Sequence, residues 1–164
     1  MIRTTTLADI DAVTALFAAT YPVLLAPFYD ADVLEIALPL MTKAQPQLLA
    51  SGTFYVAETD DGSVVSCGGW TLEQPGTALV QPGLAHIRHF ATHPEHTRRG
   101  LARAIIQRCL TDAAARGVQA LECQSTRAAE SFYAASGFKT VRAIDVQLPR
   151  DVLFPAILMR CELG

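Results

Sequence analysis

Residues 91–108 read ATHPEHTRRGLARAIIQR, and the centre of this stretch sets basic residues beside a lone glycine. Arg98 and Arg99 precede Gly100, and residues with helical periodicity follow from Leu101. The first turn of a helix leaves backbone N–H groups without partners, and the helix dipole adds partial positive charge there. Glycine has no Cβ, so an anion can approach this backbone closely. The stretch therefore predicts a phosphate site, with an ordinary turn beside solvated arginines as the alternative.

The same loop carries a second small residue, Ala102, and a further cation, Arg103. It contains neither the GxxxxGK[ST] pattern of nucleotide P-loops nor the GxGxxG pattern of dinucleotide-binding folds. A phosphate site in this loop would therefore belong to another class of protein.

Strand patterns lie on both sides of the helix predicted over 101–116, at Leu84–Thr92 and at 118–123. The other predicted elements, in chain order, are a strand at Ile2–Thr4, a helix over 7–20 ended by Tyr21-Pro22, helical segments within 31–49 interrupted by Pro39 and Pro46, a hairpin of 53–58 and 64–72, a helix over 128–135, and closing strands over 138–148 and 155–163. This order predicts an α/β (α+β) fold in a single domain over 1–164, with a mixed central sheet of about six or seven strands flanked by about four helices.

The composition restricts the function. The 164 residues are 51% hydrophobic and 18% charged, with a net charge of -3, as expected for a folded chain. A nucleic-acid partner is disfavoured, because such proteins usually carry a basic excess. The longest apolar runs are short and broken by proline, and no secretory signal is seen, so a cytoplasmic protein without a membrane partner is expected. Four scattered cysteines without a CxxC pair predict buried thiols and no metal site.

The run Thr97-Arg98-Arg99-Gly100-Leu101-Ala102 resembles the [QR]-x-x-G-x-[GA] signature of the GNAT superfamily of acyl-CoA-dependent N-acetyltransferases. Thr97 departs from the usual Gln or Arg, and Thr92 stands where Val is usual. The segment STRAAESFYAASGF (125–138) resembles the family's second signature, N-x-x-A-x-x-F-Y-x-x-x-G-F, with Thr126 in place of the common Asn. The opening strand and helix and the hairpin with Cys67-Gly68-Gly69-Trp70 also look like the family, so the resemblance covers nearly the whole chain.

The resemblance implies acetyl-CoA as co-substrate, without a metal. Two parallel strands, Leu84–Thr92 and 118–123, would splay apart to form the cofactor cleft, and a bulge in the first would free backbone groups for the pantetheine arm. The implied cofactor contacts are the backbone near Phe90, Ala91 and Thr92, the pyrophosphate loop of Thr97, Arg98, Arg99, Gly100, Leu101, Ala102 and Arg103, and Thr126.

The resemblance also implies a catalytic acid. Tyr133 matches the family tyrosine whose hydroxyl points at the cofactor sulfur, where it would stabilise or protonate the leaving thiolate. The alternative is that Tyr133 only packs in the core with Phe132.

A base is also needed, because only about one in a thousand alkyl amines is neutral at pH 7. His86 falls where several family members carry a base, and a histidine suits proton relay near neutral pH. The alternative is a solvated residue at a strand start. Glu73, Glu122 and His89 are weaker candidates, and His93 and His96 are expected to be exposed.

Strict alternation in Leu84–Thr92 would place His86, Arg88 and Phe90 on one face of the sheet, and Ile87 and His89 on the other.

The acceptor site is expected near the apolar and aromatic stretch 21–30, which has few carboxylates and therefore disfavours polyamines. The alternative is that these residues only pack the helices on the sheet. The predicted function is transfer of an acetyl group from acetyl-CoA to a primary amine of a small-molecule or peptide acceptor, by direct attack of the amine. A non-catalytic acyl-CoA sensor or interaction module of the same fold, and an unrelated anion-binding α/β domain, remain as alternatives. An edge strand near the C terminus could also pair two chains into a homodimer.

Overall fold

The computed structural model describes residues 1–164 and is built around one seven-stranded sheet with helices on both faces. Its strands are β1 (Ile2–Thr4), β2 (Phe54–Glu58), β3 (Val64–Thr71), β4 (Leu84–Thr92), β5 (Ala120–Ser125), β6 (Lys139–Leu148) and β7 (Val152–Glu162). The strand order is β1-β2-β3-β4-β5-β7-β6, and every pair is antiparallel except β4 with β5. The predicted mixed sheet of the α/β fold is confirmed.

Five α-helices cover the two faces: α1 (Ile10–Leu25), α2 (Ala31–Met41), α3 (Pro46–Leu49), α4 (Leu101–Ala115) and α5 (Glu130–Ala135). The sequence predicted about four helices, and the difference arises because the chain breaks before Pro46, which starts α3. Helices α1, α2 and α3 bury one apolar cluster, which includes Phe17 and Leu49. Helices α4 and α5 bury a second cluster on the opposite face, which includes Ile105 and Ile106.

Helix α1 does not end at Tyr21-Pro22, as the sequence predicted, but continues to Leu25 with Pro22 inside it. Proline removes the hydrogen bond to the carbonyl four residues earlier, which belongs to Ala18. Ala18 and Pro22 are both exposed, so that carbonyl lies on the solvent side of the helix. Tyr21 and Leu25 are buried on the other side, and their packing stabilises the last turn.

The segment Leu7–Leu25 is 19 residues long and apolar enough, by length and composition, to cross a membrane. This differs from the expectation that every apolar run would be too short. In the fold one face of this segment packs in the core, where Val13, Leu16 and Phe17 are buried against the sheet.

Strands β4 and β5 pair over only three residues each. The partners are Leu84 with Ala120, Ala85 with Leu121, and His86 with Glu122. Beyond these pairs β4 continues to Thr92 and β5 to Ser125 without pairing to each other. The predicted divergence of the two parallel strands is confirmed, and it opens a gap in the middle of the sheet.

All four cysteines are buried and none forms a disulfide. Cys67 lies in the core beneath α1, whereas Cys109, Cys123 and Cys161 lie in the core beneath α4 and α5. Burial raises the pKa of each of these thiols above its ordinary value.

Candidate active site

Strand β4 contains a β-bulge where it borders the gap. Cys67 pairs with Ala91 and Gly69 pairs with Arg88, so β4 has one more residue between these pairs than β3. His89 takes up the extra length with a positive φ of 49°. The predicted bulge is therefore confirmed, and it interrupts the hydrogen-bond ladder beside Phe90.

The bulge changes which side chains share a face, and the prediction from strict alternation is wrong here. The Phe90 ring lies with Ile87 on the α4 and α5 side, 6.0 Å from the Tyr133 ring between centroids. His89 moves to the α1 side, where its ring lies 5.6 Å from that of Phe17. One extra residue reverses the facing of every residue that follows it.

Gly68 makes room for the Phe90 ring. A Cβ at Gly68 would lie 2.5 to 2.6 Å from three carbons of that ring, whereas ordinary carbon contacts are about 3.5–4.0 Å. The φ of Gly68 is not in the left-handed region, so the contact alone favours glycine at this position.

Helix α1 holds the bulged backbone in place. The Tyr21 hydroxyl donates to the Phe90 carbonyl at 3.0 Å, and the Thr20 hydroxyl donates to the Thr92 carbonyl at 3.3 Å. Burial raises the pKa of Tyr21 well above its ordinary value, so the hydroxyl keeps its proton and remains a donor. The sequence pattern predicts a helix end at Tyr21 and indicates no such role for its hydroxyl.

Three neighbouring cavities, which share wall residues, follow the gap. The loop pocket, about 280 Å³, is lined by the residues at the start of α4 and by Phe132. The apolar channel, about 430 Å³, joins it at Thr92 and Thr97 and runs between α1 and α5. The central cavity, about 260 Å³, joins the channel at Phe90 and passes through the sheet between β4 and β5.

The loop pocket brings together the predicted phosphate-binding residues. Gly100 caps α4 with a φ of 75°, and a Cβ there would meet nothing within 4 Å. No side chain caps the first turn, so its N–H groups have no side-chain acceptor. Arg98 and Arg103 line the pocket and are exposed. Arg99 instead lies beside His96, with Nη1 3.3 Å from Nδ1 of the histidine.

Two of the predicted cofactor contacts have a clear polar geometry. The Thr97 hydroxyl donates to the Pro94 carbonyl at 3.3 Å, which fixes the loop rather than leaving the hydroxyl free. The Thr126 hydroxyl is buried on the wall of the central cavity and has no hydrogen-bond partner within the protein. An orphaned buried hydroxyl in a cavity wall fits a polar ligand such as the amide of a pantetheine arm. Ala91 and Thr92 line the apolar channel with Phe90, while Leu101 and Ala102 line the loop pocket.

Tyr133 lies at the inner end of the cavities. Its side chain is only 5% exposed and packs against Phe132 at 5.0 Å and Phe138 at 5.5 Å between ring centroids. It also lines the central cavity, so core packing and access to the gap coexist. Burial raises its pKa well above the ordinary value, so the phenol is protonated at neutral pH.

His86 is the last residue of β4 that pairs with β5, so it lies where the gap begins. It is 6% exposed and lines a side pocket of about 260 Å³ with Gln74, Glu122 and Gln124. Its pKa is lowered mainly by burial, against the opposing effect of Glu122. The imidazole is therefore neutral at pH 7 and able to accept a proton.

The weaker base candidates are placed differently. His89 lines the central cavity, and burial with the charge of Arg88 lowers its pKa to about 4. Glu122 is paired with Arg160 at 3.2 Å. Glu73 is exposed. His93 precedes a short 3-10 turn, Pro94–His96, which His96 ends, and both histidines are partly exposed.

The side of the central cavity formed by α1, α2 and β6 is apolar. Helices α1 and α2 contribute Leu24, Leu40 and Met41, and β6 contributes Val146 and Leu148. A larger polar groove of about 720 Å³, lined by Gln45, Gln47, Thr71, Glu73 and Gln74, adjoins this cavity at Arg88. Strict alternation predicts Arg88 on the His86 face of β4, and the sequence indicates no function for it. Its position beside a histidine candidate was the available signal.

No group of three or more His, Cys, Asp or Glu side chains is arranged to share a metal ion.

Comparison with known proteins gives a consistent assignment. A family profile for the acetyltransferase (GNAT) domain matches residues 50–140, which is more than half of the chain. No curated protein sequence matches the chain.

Solved structures with the same fold include three N-acetyltransferases. A GCN5-related N-acetyltransferase from Rhodopseudomonas palustris has a TM-score of 0.78 at 20% identity, over 99% of this chain and 95% of that one. The PaiA N-acetyltransferase from Thermoplasma acidophilum, in complex with coenzyme A, has a TM-score of 0.73 at 13% identity, over 99% and 98%. The ribosomal-protein-S18-alanine N-acetyltransferase from Escherichia coli has a TM-score of 0.67 at 17% identity, over 100% and 94%. At these identities the likeness is one of fold.

Proposed function

The chain belongs to the GNAT acetyltransferase family, and we propose that it transfers an acetyl group from acetyl-CoA to a primary amine of a small-molecule or peptide acceptor. The observation that carries this proposal is the gap between β4 and β5. Neighbouring cavities along it lead from a cationic loop at a helix start, past an apolar channel, to the buried Tyr133 of α5, which packs on the sheet.

The residues along this path fit a long molecule with an anionic end and a polar arm. The first turn of α4 and the side chains of Arg98 and Arg103 would hold the pyrophosphate. The apolar channel and the orphaned Thr126 hydroxyl would hold the pantetheine arm. Bound there, acetyl-CoA would supply an activated acetyl group, which passes to the acceptor as a C–N bond forms and the C–S bond breaks.

His86 provides a place for the proton that the amine must lose. The neutral imidazole can take that proton directly or through a water molecule in the side pocket. His89 also lines the cavity, but its pKa of about 4 makes it a weaker base at neutral pH. Glu122 is already paired with Arg160, which makes it a weaker candidate than His86 for the base.

Tyr133 provides the proton for the departing sulfur. Because its hydroxyl is protonated and lines the central cavity, it can donate where negative charge develops. The T-shaped packing with Phe90 and Phe138 keeps the ring in one orientation.

Membership of the family rules out the alternative of an unrelated anion-binding domain. The non-catalytic acyl-CoA sensor predicts binding without turnover, and the two experiments below separate it from the enzyme.

The first experiment is a thermal-shift titration with acetyl-CoA, CoA, ATP and NAD. A ligand at about 100 times its Kd adds about 2.7 kcal/mol of stability, or about 5–11 °C for a domain of this size. We expect a shift with acetyl-CoA and CoA alone.

Gly100→Ala should lower the affinity for CoA at least tenfold. Gly62→Ala is the matched control, because Gly62 also has a positive φ, 85°, and open space at its Cβ, but lies in the β2–β3 turn. Equal shifts with ATP, or equal effects of the two variants, would contradict the CoA assignment.

The second experiment measures thiol release from acetyl-CoA across a panel of amines, amino acids and peptides. Amine-dependent release supports the transferase. CoA binding without release from any amine would favour the sensor.

A further inference from the structure

The cation Arg88 reaches the acceptor side of the site without an acidic partner. Its side chain is partly buried at the junction of the central cavity and the polar groove. Burial is the main influence on the pKa of Arg88 and lowers it, because the charged guanidinium loses part of its hydration. The cost of burying a cation is normally offset by an anion.

No anion within the protein fills that role. The one hydrogen bond of the guanidinium runs from Nη1 to the Thr71 hydroxyl at 3.1 Å. Arg88 takes part in none of the five ion pairs of the protein. The charge of Glu73 raises the pKa of Arg88 against the effect of burial, but the Glu73 side chain is exposed and forms no ion pair with Arg88. The central cavity has no Asp or Glu on its wall. Nε and Nη2 of Arg88 therefore remain free to bind a carboxylate in the paired geometry that a guanidinium favours.

The position of Arg88 limits where that carboxylate sits relative to the amine. Arg88 lies two residues before Phe90, at most about 7 Å along the strand, and the gap between β4 and β5 begins beside these residues. A carboxylate on the same carbon as the amine can reach the guanidinium while the nitrogen stays at the gap. A carboxylate several bonds further away would move one of the two groups out of place.

The rest of the central cavity wall favours an acceptor with an apolar side chain. Leu40, Met41, Leu148 and Phe154 line the cavity, and the neutral His89 adds no charge. Building on the proposed function, we propose that the acceptor is a small α-amino acid with an apolar side chain, held by its carboxylate on Arg88. The neutral amine of that amino acid forms the C–N bond. Its surplus proton goes to His86, and the proton of Tyr133 goes to the sulfur of CoA.

The test compares leucine, methionine and phenylalanine with their amides and with the amines that lack the carboxyl group. Binding is measured by calorimetry on the protein saturated with CoA, and transfer by thiol release. We expect each amino acid to bind at least tenfold more tightly than its amide. Arg88→Met should remove that preference, and Arg88→Lys should restore part of it. Retained CoA binding would show that these variants are folded.

Arg108→Met is the control for the lost charge, because Arg108 lies on the exposed side of α4, paired with Asp112. It should leave the preference unchanged. Amides or simple amines that bind as tightly as the acids would overturn the proposal, as would a peptide N terminus preferred over the free amino acid. Arg88-dependent binding of the acids without thiol release would support this acceptor class and contradict transfer. Transfer to amines whether or not they carry a carboxyl group would support the transferase and contradict this acceptor class.

Discussion

Substitution of Gly68 by alanine tests the bulge that opens the site. The new Cβ would lie 2.5 to 2.6 Å from three carbons of the Phe90 ring. Ordinary contact needs about 3.5–4.0 Å, so the ring must move by about 1 Å. Phe132 and Tyr133 pack against it at 5.9 and 6.0 Å between centroids and resist that movement. Overpacking of this kind costs about 1–3 kcal/mol, which lowers the Tm by about 2–12 °C in a domain of this size.

The assay is a double-mutant cycle measured by denaturant unfolding. Gly68→Ala alone should destabilise the protein, and CoA affinity should fall with it because Phe90 lines the apolar channel. In a Phe90→Ala background the same substitution has no ring to displace. It should then be neutral, or stabilise by about 0.4–1 kcal/mol through the unfolded chain. Equal costs in the two backgrounds, or no cost in the parent, would refute the packing argument.

Three further predictions concern titrating groups. Tyr133→Phe should lower kcat at least tenfold with unchanged unfolding, and an unchanged kcat would remove the acid role. His86→Gln should abolish the acidic limb of the pH–rate profile. That limb lies below pH 6.5, because burial lowers the pKa of His86 from 6.5, and a retained limb would exclude His86 as the base. His89 has a folded-state pKa of about 4 against 6.5 when unfolded, so the unfolded chain binds the proton first. Stability should fall as the pH drops from 6.5 towards 4, by up to about 1.4 kcal/mol per unit, and His89→Gln should reduce this slope in parallel denaturation series.

The sequence predicts most of the architecture because local signals agree with the fold. The periodic apolar residues of α4, the glycine before it and the hairpin turn each depend on neighbouring residues alone. The resemblance to a family adds the divergence of β4 and β5, which no local pattern contains. The proposed phosphate site at Gly100 can likewise be predicted from the sequence, because the glycine, the arginines and the helix start are neighbours along the chain.

The errors about β4 occur where distant residues decide the outcome. The facing of His89 and Phe90 depends on one unpaired residue in β4, and Gly68 in β3 makes that position usable. The predicted strand over 118–123 is displaced to Ala120–Ser125. Val118 instead donates to the Ala113 carbonyl at 3.0 Å and closes the end of α4. The sequence indicates no role for Arg88, because the absence of an acidic partner can be recognised only in the folded structure.

The four buried cysteines can report local opening of the fold, because their thiols become reactive only when they are exposed. A thiol reagent reacts with the thiolate, so burial and a raised pKa suppress labelling in the native state. Labelling of Cys67 then reports opening of the sheet beneath α1, and labelling of Cys109 reports opening beneath α4. Mass spectrometry of the two peptides would show whether the two faces separate together or one at a time. The same protection keeps the background low when released CoA is measured with a chromogenic disulfide.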